Sequence, residues 1–491
     1  MINNELIYNK LCNFNFKKDN KLQEKINLTE NELKIFLFIK KLIKSNNLNI
    51  SIWVTGGWVR DKILNIESND IDIVIKGIKS SDFVLLINKE LYPQKYNIKN
   101  INLYSKINLT KTSIFGNEID FIDLYENDII IDSKRRNLTI NSIYYNIIED
   151  KIEDITKKGI NDLKNGFLQS PCDLNELFYN DVLTIMKILR FSSKFNFKIS
   201  NDIHNNIFLN KDKYKQLIYN KIPKERIQKE FEKIFNNPNP HIVIYSLYKY
   251  DLLSSFLHLD LFKNPNHLIQ DKDLIYIVNL FLVENYLIEN YKTKFNNQFY
   301  NDNFYIELYS TLLILIFRNF TNDSNIILSK LLLSHLFGQN VSLWKITHNL
   351  IIYFDELKEL KEQNLSRLKL GIYLRKIKGN NLIKIIFISL SNEYVEKFSN
   401  NKILNEINKE KLNEIFKKYY EIYEFVDKEN LFKIDELKPI LNGKDILNYF
   451  PETQNKQMKF LINILIEEQI KTKNTLSRNE AFEILKNKIN K

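Results

Sequence analysis

A single alanine, Ala481, occurs in 491 residues, together with only 10 glycines, 8 prolines and 2 cysteines. Alanine and glycine normally rank among the commonest residues of a globular chain. Here Ile, Lys, Asn, Tyr and Phe fill their places. An AT-biased coding sequence accounts for that pattern, so lysine excess and asparagine-rich stretches carry less functional meaning, and each remaining glycine needs a local reason. The two cysteines, Cys12 and Cys172, fit a reducing intracellular compartment (cytoplasm, nucleus or organelle) with no disulfide framework. The six histidines stand apart from one another and from the cysteines, which leaves no zinc-ligand spacing. Apolar runs such as Leu312 to Phe317 fall short of the ~18 uninterrupted residues of a membrane span. Glu5, Glu24, Glu30 and Glu32, with no arginine among the first fifty residues, argue against a signal or transit peptide.

What is abundant points to large cores. Hydrophobic residues make up 44% and aromatics 13%, and the length suits two to four domains. The N-terminal third mixes helix and strand patterns. Thr29 with Glu32 reads as a capping box, Leu28 with Leu33 as a hydrophobic staple, and Ile35, Phe36, Ile39, Leu42 and Ile43 recur at helical spacing. Strands are expected at 50–55, 70–75, 119–124 and 142–147, with a short helix through Val59, Ile63 and Leu64. Beyond about residue 167 nearly every pattern is helical, including 222–235 behind Pro223, an apolar helix over 305–317, and a last helix opened by Ser477 and Glu480. Tyr245, Tyr248 and Tyr250 read as core.

The chemistry concentrates in Val54-Thr55-Gly56-Gly57-Trp58-Val59-Arg60-Asp61 followed by Asp70-Ile71-Asp72. Residues i and i+2 of a strand share a face, so Asp70 and Asp72 project together while Ile71 and Ile73 enter the core. Two hard oxygen ligands suit magnesium, which takes few carboxylates and completes its shell with substrate phosphates. Gly56 and Gly57, between strand and helix, let a phosphate approach bare backbone, and Arg60 can clamp it. Asp-x-Asp or Gly-Gly alone is a weak signal. Their joint order in one short segment is the pattern of a nucleotidyltransferase head. Asp120, in Glu118-Ile119-Asp120, is either a third carboxylate of that site or a plain surface residue.

These segments resemble eukaryotic-type CCA-adding enzymes, the tRNA nucleotidyltransferases of the polymerase-β-like superfamily that also holds bacterial poly(A) polymerases. The resemblance rests on GGWVRDKIL with SNDIDI, then EIDFIDL, KRRNLTINSIYYNI, IEDITKKGINDLKNG, NDVLTIMKILRFSSKFNF and IPKERIQKEF, and it returns at Lys438 to Asp445. It implies an α+β nucleotidyltransferase head with a small mixed sheet over 1–165, then an all-helical neck (166–240), body (241–375) and tRNA-binding tail (376–491). It implies that Asp70 and Asp72 hold catalytic Mg2+, that Gly56, Gly57 and Arg60 meet the incoming nucleotide, that Arg136 binds triphosphate beside Asn141, and that position 137 faces the ribose. The family usually has Asp there; Asn137 keeps an acceptor without the charge.

The base-reading motif departs further. The family's acidic-Asp-x-x-Arg sets Asp and Arg at i and i+3 on one helix face, where one carboxylate and one guanidinium pair with cytosine or adenine and leave guanine or uracil with unpaired polar groups. Here Asn180, Asp181 and Thr184 occupy the motif, so the forked guanidinium is missing. Lys187 and Arg190 follow and serve triphosphate charge. Arg226, in the next motif, is read as a packing or ion-pair residue. The resemblance implies CCA addition to tRNA from CTP and ATP. The alternatives are partial CC or A addition, poly(A)-type tailing with relaxed base choice, or a non-catalytic tRNA-binding descendant. The net charge of +11 agrees with an RNA partner.

Overall fold

The structure is a computed structural model that describes residues 22–23, 25–68, 70–92, 102–104, 109–237, 239–258, 271–295, 304–318, 341–404, 406–451 and 455–489. Cys12 lies outside the described residues. The chain divides into two compact units, Met1–Pro223 with Ile242–Phe256, and Lys224–His241 with Leu257–Lys491.

The first unit is built on seven strands: β1 (Ser51–Thr55), β2 (Ile71–Lys76), β3 (Asn102–Tyr104), β4 (Leu109–Ile114), β5 (Asn117–Asp123), β6 (Ile143–Asn146) and β7 (Lys151–Asp154). Their order is β3-β4-β5-β2-β1-β6-β7. Only the β2/β5 pair is parallel, which makes the sheet mixed. The two central strands, β1 and β2, are covered on both faces, so Ile52, Trp53, Val54, Ile73, Val74 and Ile75 form a run without alternation.

Helix α1 (Glu30–Ser45) carries the expected capping box, with Thr29 and Glu32 bonded reciprocally. The hydrophobic staple does not form, because Leu33 remains 48% exposed. Glu32 ties down the helix start instead, accepting hydrogen bonds from Trp58 Nε1 (2.8 Å) and Lys62 Nζ (2.7 Å) of the short helix α2 (Gly57–Ile63). Phe36 of α1 packs on Trp58 and Tyr145. Helices α3 (Ser80–Leu91), α4 (Ile129–Lys134) and α5 (Gly159–Asn165) complete the head. A two-residue parallel pair, β8 (Phe167–Leu168) with β9 (Lys198–Ile199), then brackets α6 (Leu174–Asn180) and α7 (Thr184–Phe195). Helices α8 (Asn201–Leu209) and α9 (Lys211–Lys221) follow.

The second unit is helical in all its described elements. It begins with α10 (Lys224–Phe235), where Pro223 sits just before the first turn; α11 (Pro240–Lys249) and α12 (Leu253–Phe256) lie largely in the segment that returns to the first unit, and bury Tyr245 and Tyr250 as expected. Next come α13 (Asp271–Tyr291), α14 (Phe304–Arg318), α15 (Val341–Lys361), α16 (Arg367–Ile377), α17 (Leu382–Phe398) and α18 (Lys409–Lys428). Helix α17 is its axis. Every residue from Leu382 to Val395 is buried, against α13, α14, α15 and α18. That is how a helix apolar nearly all round is accommodated. Its Lys384 forms a buried ion pair with Glu307 of α14. The chain closes with α19 (Gly443–Tyr449), α20 (Asn455–Lys471) and α21 (Arg478–Ile489), around a core of Leu441, Ile446, Leu461, Leu465, Leu476, Ala481 and Leu485. Ser477 and Glu480 form the expected cap of α21. Among the described residues no helix is long and apolar enough to cross a membrane.

Candidate active site

Strand β1 ends at Thr55, and the chain turns through Gly56, at φ +75°, into α2. A side chain at Gly56 would be strained at that φ; its Cβ would also lie 3.7 Å from Asp72 Oδ2 and 4.0 Å from Arg136 Nη1. The bare turn therefore marks where a carboxylate and a guanidinium converge. Helix α2 has only seven residues. The glycines matter there less for a helix dipole than for the room they leave.

That room is a pocket of about 420 Å3, within the usual range for small-molecule sites, lined by Gly56, Gly57, Trp58, Arg60, Asp61, Ser68, Asp70, Asp72, Arg136, Asn137, Asn141, Arg190, Phe191 and Lys194. Nine sequence-predicted residues thus meet in one cavity: Gly56, Gly57, Arg60, Asp70, Asp72, Arg136, Asn137, Asn141 and Arg190. Asp70 falls one residue before β2 rather than inside it, yet shares the pocket with Asp72.

Two arginines frame the cavity, each held differently. Arg60 is 4% exposed. Its Nε donates to Asp61 Oδ1 (2.8 Å), its Nη2 lies 2.7 Å from the same oxygen, and its Nη1 donates to Asn141 Oδ1 (2.7 Å). Its guanidinium carbon also lies 4.8 Å from the ring centroids of both Phe191 and Phe195 on α7. Burial lowers its pKa from the ordinary value, with Asp61 opposing. Arg136 is gripped by Asp132, through Nε (3.0 Å) and Nη2 (2.7 Å), and by the Tyr144 hydroxyl (3.0 Å), which itself donates to Asp132 (2.7 Å). Burial alone would depress Arg136, but Tyr144 and Asp132 outweigh it and hold the guanidinium above its ordinary value. Both arginines are fixed in charge and direction before any ligand arrives.

Asp72 is the strained member. Burial first, then the neighbouring charges of Asp120 and Asp70, push its carboxyl up to about 6, against the pull of Arg136 and Lys111. A bound cation would relieve that repulsion. Among the described residues no group of three or more His, Cys, Asp or Glu forms a metal cage, and a pair of carboxylates with open space alongside fits an ion that takes its remaining oxygens from substrate and water. Asp120 stands opposite Asp72 in the parallel β2/β5 register. Both its oxygens accept from Lys111 Nζ, at 2.8 and 2.6 Å, and it does not line the pocket. It reaches the site through its charge on Asp72.

The base-reading segment differs from expectation. Helix α7 begins at Thr184, and Asp181, at φ −147° and ψ 89°, is the non-helical C-cap of α6. The two residues do not share a helix face. Thr184 is only 3% exposed, so its hydroxyl lies in packing. Asp181 accepts from Lys187 Nζ at 2.9 Å. None of Asp181, Thr184 and Lys187 lines the pocket.

Sequence reading missed Trp58, Asp61, Ser68, Phe191 and Lys194. Lys194 follows Arg190 by four residues and so shares its helix face, a legible signal. It lies 3.8 Å from Asp61, and burial, with Arg60 and Arg190 nearby, lowers its pKa.

Residues 52–169 match the family described as Poly A polymerase head domain, and residues 196–260 match the family described as Probable RNA and SrmB- binding site of polymerase A. Residues 52–169, which hold most of the sheet and most of the pocket lining, are thus similar to the poly(A) polymerase head class of nucleotidyltransferases. Mitochondrial CCA tRNA nucleotidyltransferases of Candida glabrata and Saccharomyces cerevisiae are each 27% identical, over 86% of this chain and 88% of the relative, and over 81% of each, respectively. In fold, the chain resembles a Thermotoga maritima CCA-adding enzyme solved with tRNA: the TM-score is 0.59 at 19% identity, covering 94% of this chain and 96% of the other. Over most of its length the chain is thus similar to eukaryotic CCA-adding enzymes. Enzymes of this superfamily generally use a divalent metal.

Proposed function

We propose that this chain is a magnesium-dependent, template-independent nucleotidyltransferase that completes tRNA 3′ ends with CCA from CTP and ATP. The observation that carries the reading is the convergence of Asp70, Asp72, Gly56, Gly57, Arg60 and Arg136 in one pocket. Asp70 and Asp72 would hold magnesium, which when bound would supply charge to offset that developing on the phosphate oxygens. Arg136, Arg190 and Lys194 receive the triphosphate, and Arg60 lends its remaining N–H groups beside Gly57, where a Cβ would lie 3.5 Å from Arg60 Nη2. A terminal ribose hydroxyl of the tRNA attacks the α-phosphorus, the new P–O bond forms and pyrophosphate leaves. Asp120 acts through Asp72, keeping negative charge beside it while Lys111 neutralises part of that charge.

Asp181 and Lys187 together offer one carboxylate and one cation, the donor and acceptor set that a guanidinium at 184 would otherwise complete. Residues 166–240 are assigned as neck, 241–375 as body and 376–491 as the tRNA-binding tail. The compartment is one that keeps thiols reduced, with Cys172 free.

Thr184 in place of the guanidinium also supports a narrower reading, addition of C alone or A alone. Incubating tRNA that ends before CCA with each nucleotide singly and all together, followed by sequencing of the 3′ ends, separates the two. Ends reading CCA with CTP plus ATP support the proposal. Ends that stop after CC, or carry A tracts, support the narrower reading, and ends unchanged under every condition overturn both.

A further inference from the structure

Helix α2 carries Gly57 and Arg60 to the pocket, yet its own backbone holds its start weakly. Its N-cap, Gly56, has no side chain to cap the first turn, and the bond that ties the helix to it, from Arg60 N to Gly56 O, is 3.4 Å long. Seven residues are also too few for a helix to stand by itself. What fixes α2 must come from its neighbours. On one side Arg60 is tied to Asn141; on the other, Trp58 and Lys62 are tied to Glu32 of α1.

Trp58 and Lys62 are i and i+4 on α2 and share one face. Oε1 of Glu32 accepts from Trp58 Nε1 at 2.8 Å, while Oε2 accepts from Lys62 Nζ at 2.7 Å and from Thr29 N at 2.7 Å. One carboxylate therefore caps α1 and spans a turn of α2 at the same time. Glu32 is 6% exposed and Trp58 1%, so water cannot take over these bonds. The Trp58 ring is wedged between Phe36 and Tyr145, each at 5.8 Å between centroids, and Lys62 Nζ lies 5.6 Å from its centre. Burial would push the Glu32 carboxyl up, but the bonds from Lys62, Thr29 and Trp58 outweigh it and hold the group below its ordinary value, ionised at neutral pH.

We infer that Glu32 is a positioning residue for the phosphate-receiving side of the pocket: by holding Trp58 and Lys62 it sets the Gly56-Gly57 turn and Arg60 where a nucleotide's phosphate chain meets them. It acts only through α2. Glu32 does not line the pocket, whereas Trp58, Gly57 and Arg60 do. It also lies N-terminal to residues 52–169, which match the head family, so α1 adds to the site a support from outside that match. Because the parts it sets are those that face phosphates, its influence is the same for every ligand carrying that chain of phosphates, whatever the base. A small displacement of a fixed guanidinium is enough to weaken such a contact, since charge-assisted bonds depend on direction as well as distance.

The inference rests on the proposed nucleotide phosphates occupying this pocket, and the test keeps the two apart by measuring binding as well as turnover. Dissociation constants for inorganic tripolyphosphate, CTP and ATP are measured by calorimetry in magnesium-free buffer for the full chain as wild type, Glu32→Gln, Glu32→Ala and Lys40→Ala, with far-UV circular dichroism to confirm folding. Glu32→Gln keeps the size and one acceptor for Trp58 but turns an amide N–H toward Lys62, so it serves should Glu32→Ala unfold. Lys40 pairs with Asp150 at 2.5 Å farther along α1 and controls for general loosening of that helix. Glu32→Gln is expected to weaken all three ligands by the same factor, about tenfold, and Lys40→Ala to leave them unchanged. In turnover the KM for CTP should rise by that factor while the KM for a tRNA ending before CCA stays put. Mere loss of folded protein lowers the active fraction and moves neither KM. Affinities in Glu32→Gln within about twofold of the wild type, a loss confined to one base, or an equal loss in Lys40→Ala overturns the inference. A wild type that binds none of the three ligands overturns the proposed function as well, whereas tight binding unaffected by Glu32→Gln overturns the inference alone.

Discussion

The pocket around Gly56 and the segment from Asp181 to Lys187 make a useful contrast. Both were expected to bind the nucleotide, and both use pairs of opposite charge. The Arg60 and Asp61 side chains are 5% and 9% exposed and tied into Asn141, Phe191 and Phe195. Those of Lys187 and Asp181 are 29% and 28% exposed, with a single bond between them. Charges desolvated in a closed network are costly to disturb, whereas a half-exposed pair is screened and worth little. The difference teaches where the site is preorganised: the end proposed to take triphosphate and metal is fixed before binding, and the end proposed to read the base has no guanidinium to fix it.

Breaking that contrast should give effects of graded size. Arg60→Ala leaves Asp61 buried with only Lys194, at 3.8 Å, nearby, so chemical denaturation should report a loss of about 3–5 kcal/mol; a loss under 1 kcal/mol would place Arg60 outside any closed network. The Asp72 carboxyl gives the next largest effect. Burial and the neighbouring carboxylates push it up to about 6, above the 3.8 of an ordinary aspartate, so in the metal-free protein the protonated group contributes stability that is present below about 3.8 and lost as pH rises through about 6. The total is on the order of 3 kcal/mol. Magnesium held there, as proposed, would bind the ionised form, so its thermal stabilisation should be larger at pH 7.5 than at pH 5, and Asp72→Asn should abolish the difference. Lys187→Ala should change stability by less than about 1 kcal/mol, and in competition assays should relax the preference of CTP over UTP by about tenfold or less. A loss as large as that of Arg60→Ala would erase the contrast.

The legible parts of the site were those in which residue type and spacing carry the geometry. Asp-x-Asp places two carboxylates together whatever the surrounding fold, and Gly56 announces a backbone that no side chain favours. The capping boxes at Thr29 and Ser477 were legible for the same reason, being local. What stayed hidden was set by neighbours remote in sequence. Asp61 looked like one more helix carboxylate until its partner Arg60 was seen under two phenylalanines of α7. Asp120 was open between a third site carboxylate and a plain surface residue, and its register opposite Lys111 across β4 and β5, with both oxygens bonded to that lysine, sets it apart from Asp72. The break between α6 and α7 was invisible because Asn180 to Thr184 keeps an apolar pattern that a continuous helix would also show. The staple at Leu33 failed since Glu32 found Trp58 and Lys62, contacts that no local rule contains. Of the fold, β1, β2, β5 and β6 and the helical remainder were readable; β3, β4, β7 and the short pair of β8 with β9 were not, since all but β4 give periodicity too little length and β4 buries only Thr110 and Ile114 of its six residues.

The central claim is that Asp70 and Asp72, set against Gly56 and the two clamped arginines, perform metal-dependent nucleotidyl transfer. Single-turnover addition of one cytidine to a tRNA ending before CCA, with magnesium, tests it most directly when wild type, Asp72→Asn and Lys187→Ala are compared. The account predicts a roughly thousandfold loss for Asp72→Asn, the several kcal/mol of charge stabilisation a held metal supplies, and a loss within tenfold for Lys187→Ala. Transfer by Asp72→Asn at a rate near that of the wild type would contradict it.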